Sequence, residues 1–134
     1  MRLLYLLALA TIGLPTPASA DDCAHAPDQQ AMNQCADRNY KQSDAALNVL
    51  YAQIGHRLEN SDPDIRKRLV AAQRAWIGFR DAECKFATSA SAGGSISPML
   101  YAECADMLTR KRMDDFKAYL RCPEGDMSCP VPAP

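Results

Sequence analysis

The sequence predicts an all-α domain, a small up-down-up bundle of three helices with a long first helix, stapled by three disulfides. Three observations indicate this fold. Apolar residues recur every three or four positions along three segments, which is the period of a helix with one buried face. Helix-breaking sequences at residues 60–63 and 87–97 separate those segments. Six cysteines in a small chain complete the pattern.

The first twenty residues are predicted to be a cleaved signal peptide. Arg2 provides a positive start, residues 3–13 form a short apolar run, and Ala18-Ser19-Ala20 is a typical cleavage site. The run is too short to span a bilayer, and Asp21 follows in place of a lipid-attachment cysteine. We therefore expect a soluble periplasmic or secreted protein with no membrane insertion. Its parts would be a helical domain at 21–122 and a proline-rich tail at 123–134.

The first helix is predicted over residues 27–58. Asp28 follows Pro27 and is placed to cap the first turn. One face carries apolar or semi-apolar residues at alternating steps of three and four, so it should be buried. These residues are Met32, Ala36, Tyr40, Ser43, Leu47, Leu50, Ile54 and Leu58.

The second helix is predicted to begin at the Asn60-Ser61-Asp62-Pro63 break, with Ser61 or Asp62 as its cap and Pro63 in its first turn. It should end near Phe86. Its expected buried stripe is Ile65, Leu69, Ala72, Trp76 and Phe79.

The third helix should begin at Ser97-Pro98, a cap followed by a first-turn proline, and reach about Leu120. The preceding loop contains Gly93-Gly94 and is predicted to be flexible. The helix residues expected to be buried are Leu100, Cys104, Leu108 and Phe116.

An even number of cysteines in a small exported chain indicates disulfides rather than a metal cluster, since no C-x-x-C is present. In the predicted topology Cys23, Cys35, Cys84 and Cys104 lie at one end of the bundle. Cys122 lies at the other, so it should pair with Cys129. The first four could pair as Cys23 with Cys35 and Cys84 with Cys104, or as Cys23 with Cys84 and Cys35 with Cys104. We favour the first, more local scheme.

The composition argues against several function classes. The net charge of −1 gives no sign of a nucleic-acid partner. The two histidines lie far apart, no nucleophile has a base within predicted reach, and no phosphate-binding glycine loop follows a strand. We therefore expect a non-catalytic protein without a metal or cofactor.

Two groups of residues are candidates for contact with a protein partner. Trp76, Arg80 and Asp81 are close on the second helix, and the spacing of four allows a cation–π contact between the first two. A structural role is the favoured interpretation of this group: Trp76 would anchor the core, and a carboxylate from a neighbouring helix would hold Arg80. The second group comprises Gly94, Ser95 and Ser97 in the loop before the third helix.

Three stretches resemble the LprI-like lysozyme-inhibitor domain family of bacterial envelope proteins. They are residues 30–36 (QAMNQCA), residues 72–84 (AQRAW with FRDAEC) and residues 94–109, where GSISP leads to Cys104 and to Leu108-Thr109. The similarity covers residues 23–120. It implies helices tied by cysteine pairs and favours the local pairing of the first four cysteines. It does not extend to the Cys122 and Cys129 end.

The resemblance implies a protein that binds lysozyme and blocks its muramidase cleft. A lysozyme cleft is concave and holds two catalytic carboxyl groups, so a protruding loop that offers hydroxyls such as that of Ser95 could enter it. The alternative is an envelope adaptor or binding module with no effect on lysozyme. A carrier of a small ligand or metal in the bundle core is a further, less favoured reading.

Overall fold

The computed structural model describes residues 23–133. It contains three long helices: α1 (Gln29–Arg57), α2 (Pro63–Ala87) and α3 (Ser97–Leu120). Short 3-10 turns lie at Cys23–His25 and Ser89–Ser91, and no strand occurs within these residues. The predicted all-α class and three-helix order are confirmed. The predicted signal peptide falls on residues outside the described range.

The helix starts follow the capping residues of the sequence. An Asp28 side-chain oxygen accepts a hydrogen bond from the Ala31 amide at 2.8 Å, and an Asp62 oxygen accepts one from the Asp64 amide at 2.9 Å. These bonds satisfy amides that would otherwise lack partners at a helix start. At α3 the N-cap residue lies one position before the predicted one. Ser97 is already helical, and Ile96 occupies the cap position without a side-chain bond.

α1 and α3 run parallel to each other, and α2 runs antiparallel to both. The starts of α1 and α3 meet where Ala36 packs with Ala102, and their later turns meet where Ile54 packs with Phe116. The main core lies between these two helices, with partly buried side chains of α2 at its edge. Its fully buried members are Leu47, Ile54, Leu58, Phe116 and Val131.

The predicted burial of α1 is largely confirmed, whereas that of α2 is wrong at three positions. Ile65, Ala72 and Phe79 are exposed, and Leu69 and Trp76 are partly buried. The fully buried residues of α2 are instead Gln73, Arg80 and Cys84. The core between α1 and α3 is already filled. α2 therefore lies at its edge and turns inward side chains that have polar or disulfide partners there.

The predicted buried set of α3 is only partly correct. Phe116 is fully buried, but Leu100, Cys104 and Leu108 are half-buried. The side that faces α1 carries smaller residues, which allow the two helices to approach closely. These are Ala102, Ala105 and Thr109.

The three disulfides follow the local scheme. Cys23 pairs with Cys35 and Cys84 with Cys104, each with Cα atoms 5.6 Å apart, and Cys122 pairs with Cys129 at 5.7 Å. The first two lie at the end of the bundle where α1 and α3 begin. The third closes a loop after α3, at the opposite end.

The residues after α3 complete that opposite end of the core. Val131 is buried against the main core, although the sequence predicts only an extended or looped tail here. Nearby, Nη1 of Arg57 donates a hydrogen bond to the Leu120 carbonyl at 2.8 Å, which joins the ends of α1 and α3.

Candidate functional site

The α2–α3 loop, residues 88–96, is built from consecutive tight turns. The Ser91 amide donates to the Thr88 carbonyl at 3.0 Å, and the Gly94 amide donates to the Ser91 carbonyl at 2.9 Å. The Thr88 hydroxyl donates to the Cys84 carbonyl at 2.7 Å, so the loop is bonded to the last turn of α2 beside the Cys84–Cys104 disulfide. The loop therefore has a defined backbone path.

The shape of the loop favours glycine at both Gly93 and Gly94, for different reasons. Gly93 has a φ of 78°, a left-handed conformation that other residues rarely adopt. A Cβ atom on Gly94 would lie 3.1 Å from the Ser91 carbonyl oxygen, which is closer than ordinary packing allows. The Gly93-Gly94 pair, which predicts a flexible loop in the sequence, therefore allows a defined tight turn in the structure.

A hydrogen bond from α1 holds the far side of the loop. Nδ2 of Asn33 donates to the Ser95 carbonyl at 3.0 Å, and the side-chain oxygen of Asn33 accepts from Gln29 at 2.9 Å. Ser95 itself is exposed, and no described residue bonds to its hydroxyl. The backbone at Ser95 is therefore anchored while its side chain remains available.

An open cleft of about 940 Å³ lies between the first half of α1 and this loop, with the start of α3 beneath it. Two of the predicted binding residues, Gly94 and Ser97, line it. The other lining side chains mix aromatic, amide and charged groups. They include Asn33, Asp37, Tyr40, Lys85 and Tyr101.

Arg80 lies behind this cleft as the centre of a buried cluster, with 7% of its side chain exposed. Its Nε donates to Asp81 at 2.9 Å, and its Nη1 donates to Asp44 on α1 at 3.0 Å. The guanidinium carbon lies 5.2 Å from the ring centre of Tyr40 and 5.3 Å from that of Trp76. The predicted cation–π contact and the predicted carboxylate from a neighbouring helix are both confirmed.

Burial and charge act together on the ionisable groups of this cluster. Burial raises the pKa of Tyr40, and the neighbouring positive charge of Arg80 opposes that rise only in part. The pKa of Tyr101 is also raised, first by burial and then by the Asp81 carboxylate. Burial acts to lower the pKa of Arg80, but the hydrogen bond to Asp81 outweighs it, together with Tyr40 and Asp44. Arg80 therefore stays charged, and both phenols stay neutral at physiological pH.

The two groups predicted to contact a partner, one on α2 around Arg80 and one in the α2–α3 loop around Ser95, lie at the same end of the bundle. The loop group is at the surface, and the α2 group is deeper. Tyr40 and Tyr101 connect them, because each lines the cleft and interacts with the Arg80 cluster behind it. Arg80 and Asp81 therefore support the wall of the cleft and do not line it. The sequence does not predict that Tyr40, Asp44 and Tyr101 belong to this site. The spacing of four between Tyr40 and Asp44 on α1 was the available signal.

Within residues 23–133 no group of His, Cys, Asp or Glu is arranged to hold a metal ion. None of the described helices is long and apolar enough to cross a membrane.

Comparison with known proteins identifies the family. A family profile described as Lysozyme inhibitor LprI matches residues 20–116, which is more than half of the chain. The chain belongs to the LprI family. An uncharacterized protein of Rhizobium meliloti (strain 1021) is 36% identical over 122 residues, covering 81% of this chain and 88% of that protein. No solved structure matches.

The LprI match includes the α2–α3 loop, the cleft and the Arg80 cluster. It ends at Phe116, before the Cys122–Cys129 disulfide and Val131. The segment that completes the far end of the core therefore lies outside the family match.

Proposed function

We propose that this LprI-family chain is an exported, non-catalytic lysozyme inhibitor that inserts its α2–α3 loop into the muramidase cleft. Family membership supports the target class. We choose the α2–α3 loop as the binding surface because of one hydrogen bond, from Asn33 to the Ser95 carbonyl. This bond anchors the loop and leaves the Ser95 side chain exposed. A pre-organised loop binds with less entropic cost than a flexible one.

The shape of the loop suits a concave target. Apart from Ile96, its exposed residues are small, among them Ser89, Ala92 and Ser95, so the backbone itself can approach a narrow cleft closely. The Cys84–Cys104 disulfide ties the end of α2 to α3 on one side of the loop, and α1 supports the other through Asn33. The target cleft of a lysozyme contains two carboxyl groups, to which an exposed hydroxyl such as that of Ser95 can donate hydrogen bonds.

A muramidase assay with c-type and i-type lysozymes tests the proposal. We expect the oxidised protein without residues 1–20 to lower turnover at micromolar concentration. Ser95→Asp should weaken inhibition at least about tenfold, or roughly 1.4 kcal/mol, because it brings a carboxylate towards the carboxyl groups of the target.

The matched control is Asn60→Asp, which adds the same charge at an exposed position in the turn at the opposite end of the bundle. It should inhibit like the unchanged protein. If the protein without substitutions leaves lysozyme turnover unaffected, lysozyme inhibition is excluded and the adaptor role is favoured. If Ser95→Asp and Asn60→Asp weaken inhibition equally, insertion of this loop is excluded.

A further inference from the structure

One side of α2 carries an exposed apolar seam, which consists of Ile65, Ala72, Ala75, Phe79, Ala82 and Phe86. In its first half, Ile65 and Ala72 also line a small cleft beside α3 and Val131. Successive members are separated by seven, three, four, three and four positions, so they share one face along the whole helix. Phe79 is 53% exposed and Phe86 is 76% exposed. This is the spacing by which one helix packs along another, yet no described element covers Phe79, Ala82 or Phe86.

The seam differs from the scattered exposed apolar residues that a protein surface normally carries. Val49 on α1 is 57% exposed, but its apolar row is short, since it includes only Ala45 and Ala52 and contains no aromatic residue. Phenylalanine is among the residues most often buried, and a continuous exposed apolar strip usually marks an interaction surface. The α2 seam therefore requires a partner surface of matching shape and charge.

We propose that the partner is a second copy of this chain, and that the α2 helices of two copies pack antiparallel along their seams. Ala72 then lies opposite Ala75 of the partner subunit at the centre, where the small side chains permit close approach of the two backbones. On either side, Arg68, the one non-apolar residue in the row, lies opposite Phe79 of the partner subunit. A guanidinium over an aromatic ring is a favourable contact.

The charges beside the seam select the antiparallel direction. Asp64 immediately precedes Ile65 at the start of α2, and Lys85 immediately precedes Phe86 at its end, so both lie on the same flank. In this antiparallel register Asp64 lies two positions, or about 3 Å of helix rise, from Lys85 of the partner subunit, so the two charges are within side-chain reach twice in the dimer. Asp64 also forms a surface ion pair with Lys67 of its own helix. A parallel, in-register pair would instead place Arg68 against Arg68 of the partner subunit, which is unfavourable. Antiparallel packing also aligns the helix dipoles favourably.

Analytical ultracentrifugation of the oxidised protein without residues 1–20 tests the pairing. We expect a reversible monomer–dimer equilibrium. Phe79→Lys should raise the dissociation constant more than about tenfold, since it replaces an apolar contact by a positive charge that faces Arg68 of the partner subunit. The matched control is Val49→Lys, which introduces the same charge at a similarly exposed apolar position on α1 and should leave the equilibrium unchanged.

Charge exchange tests the direction of packing. Lys85→Glu should weaken the dimer, and the double variant Asp64→Lys with Lys85→Glu should restore it. Circular dichroism checks that each variant keeps its helices.

A chain that stays monomeric at millimolar concentration would overturn the proposal. Equal dimerisation of Phe79→Lys and Val49→Lys would also overturn it. So would a double variant that dimerises as weakly as Lys85→Glu alone. The seam does not include the α2–α3 loop, and Phe79 does not line the cleft, so the Phe79 variant in the ultracentrifuge and the lysozyme assay give independent answers. Lys85 lines the cleft beside the loop, so its variants are compared only by ultracentrifugation.

Discussion

Thr109 has a buried polar group that forms no hydrogen bond within residues 23–133. It is fully buried on the face of α3 that meets α1, and its hydroxyl has no hydrogen-bond partner among the described residues. An unpaired buried hydroxyl costs free energy, because it has lost water without gaining a replacement. Valine has nearly the same shape and no polar atom.

We therefore predict that Thr109→Val raises the free energy of unfolding by about 1 kcal/mol. Urea unfolding followed by circular dichroism would measure it. Ser43→Ala is the matched control, because the buried Ser43 hydroxyl donates to the Tyr40 carbonyl at 2.9 Å. That variant should lose stability by about 1 kcal/mol. A Thr109→Val protein less stable than the unchanged protein would contradict the prediction.

Arg80 shows how far sequence reasoning reaches at the scale of one residue. The spacing from Trp76 predicts their contact, because residues four apart on a helix are neighbours. The need of a buried guanidinium for a counter-charge predicts a carboxylate from another helix. It does not predict which one. Asp44 is 36 positions away, and only the packing of α1 against α2 brings the two together.

The three helices as elements were largely predictable, because their ends depend on local chemistry. Asp28, Asp62 and Pro63 act through bonds or backbone angles within one turn, and the structure places α1 and α2 where those residues predict. The burial of α2 was not predictable in the same way. A helical period shows which residues share a face, but whether that face is covered depends on the space that α1 and α3 leave.

The segment after α3 acts as a structural element, although it has no regular secondary structure. Val131 is 3% exposed within the main core, while Met127 in the same segment is 99% exposed. We predict that Val131→Asp lowers the free energy of unfolding by about 3 kcal/mol, since a carboxylate would be buried without a partner.

Met127→Asp is the matched control for this prediction and should change stability by less than about 0.5 kcal/mol. Urea unfolding of the two variants measures the difference. Equal stability of the two would mean that the segment does not pack on the core in solution.

At the scale of the whole molecule, one well-filled core joins α1 to α3, and α2 is attached at its edge. The attachments of α2 are the Arg80 cluster, the partly buried Leu69 and Trp76, and the Cys84–Cys104 disulfide. The candidate site and the α2 seam both depend on the position of this helix. We therefore expect the Cys84–Cys104 disulfide to matter more for the candidate site and the α2 seam than for the core.

Removing the disulfides one at a time separates the effect on the position of α2 from the effect on the core. Closing a loop of this length stabilises a fold by about 3 kcal/mol in the chain-entropy account, against a typical net stability of about 5–15 kcal/mol. Cys84→Ala with Cys104→Ala should therefore keep the α1–α3 core folded while amide hydrogen exchange becomes faster, chiefly in α2. Cys122→Ala with Cys129→Ala, at the opposite end, is the control and should leave exchange in α2 slow. Uniformly faster exchange in all three helices of the first variant would show that the three helices unfold as one cooperative unit, and that α2 is not the separable part.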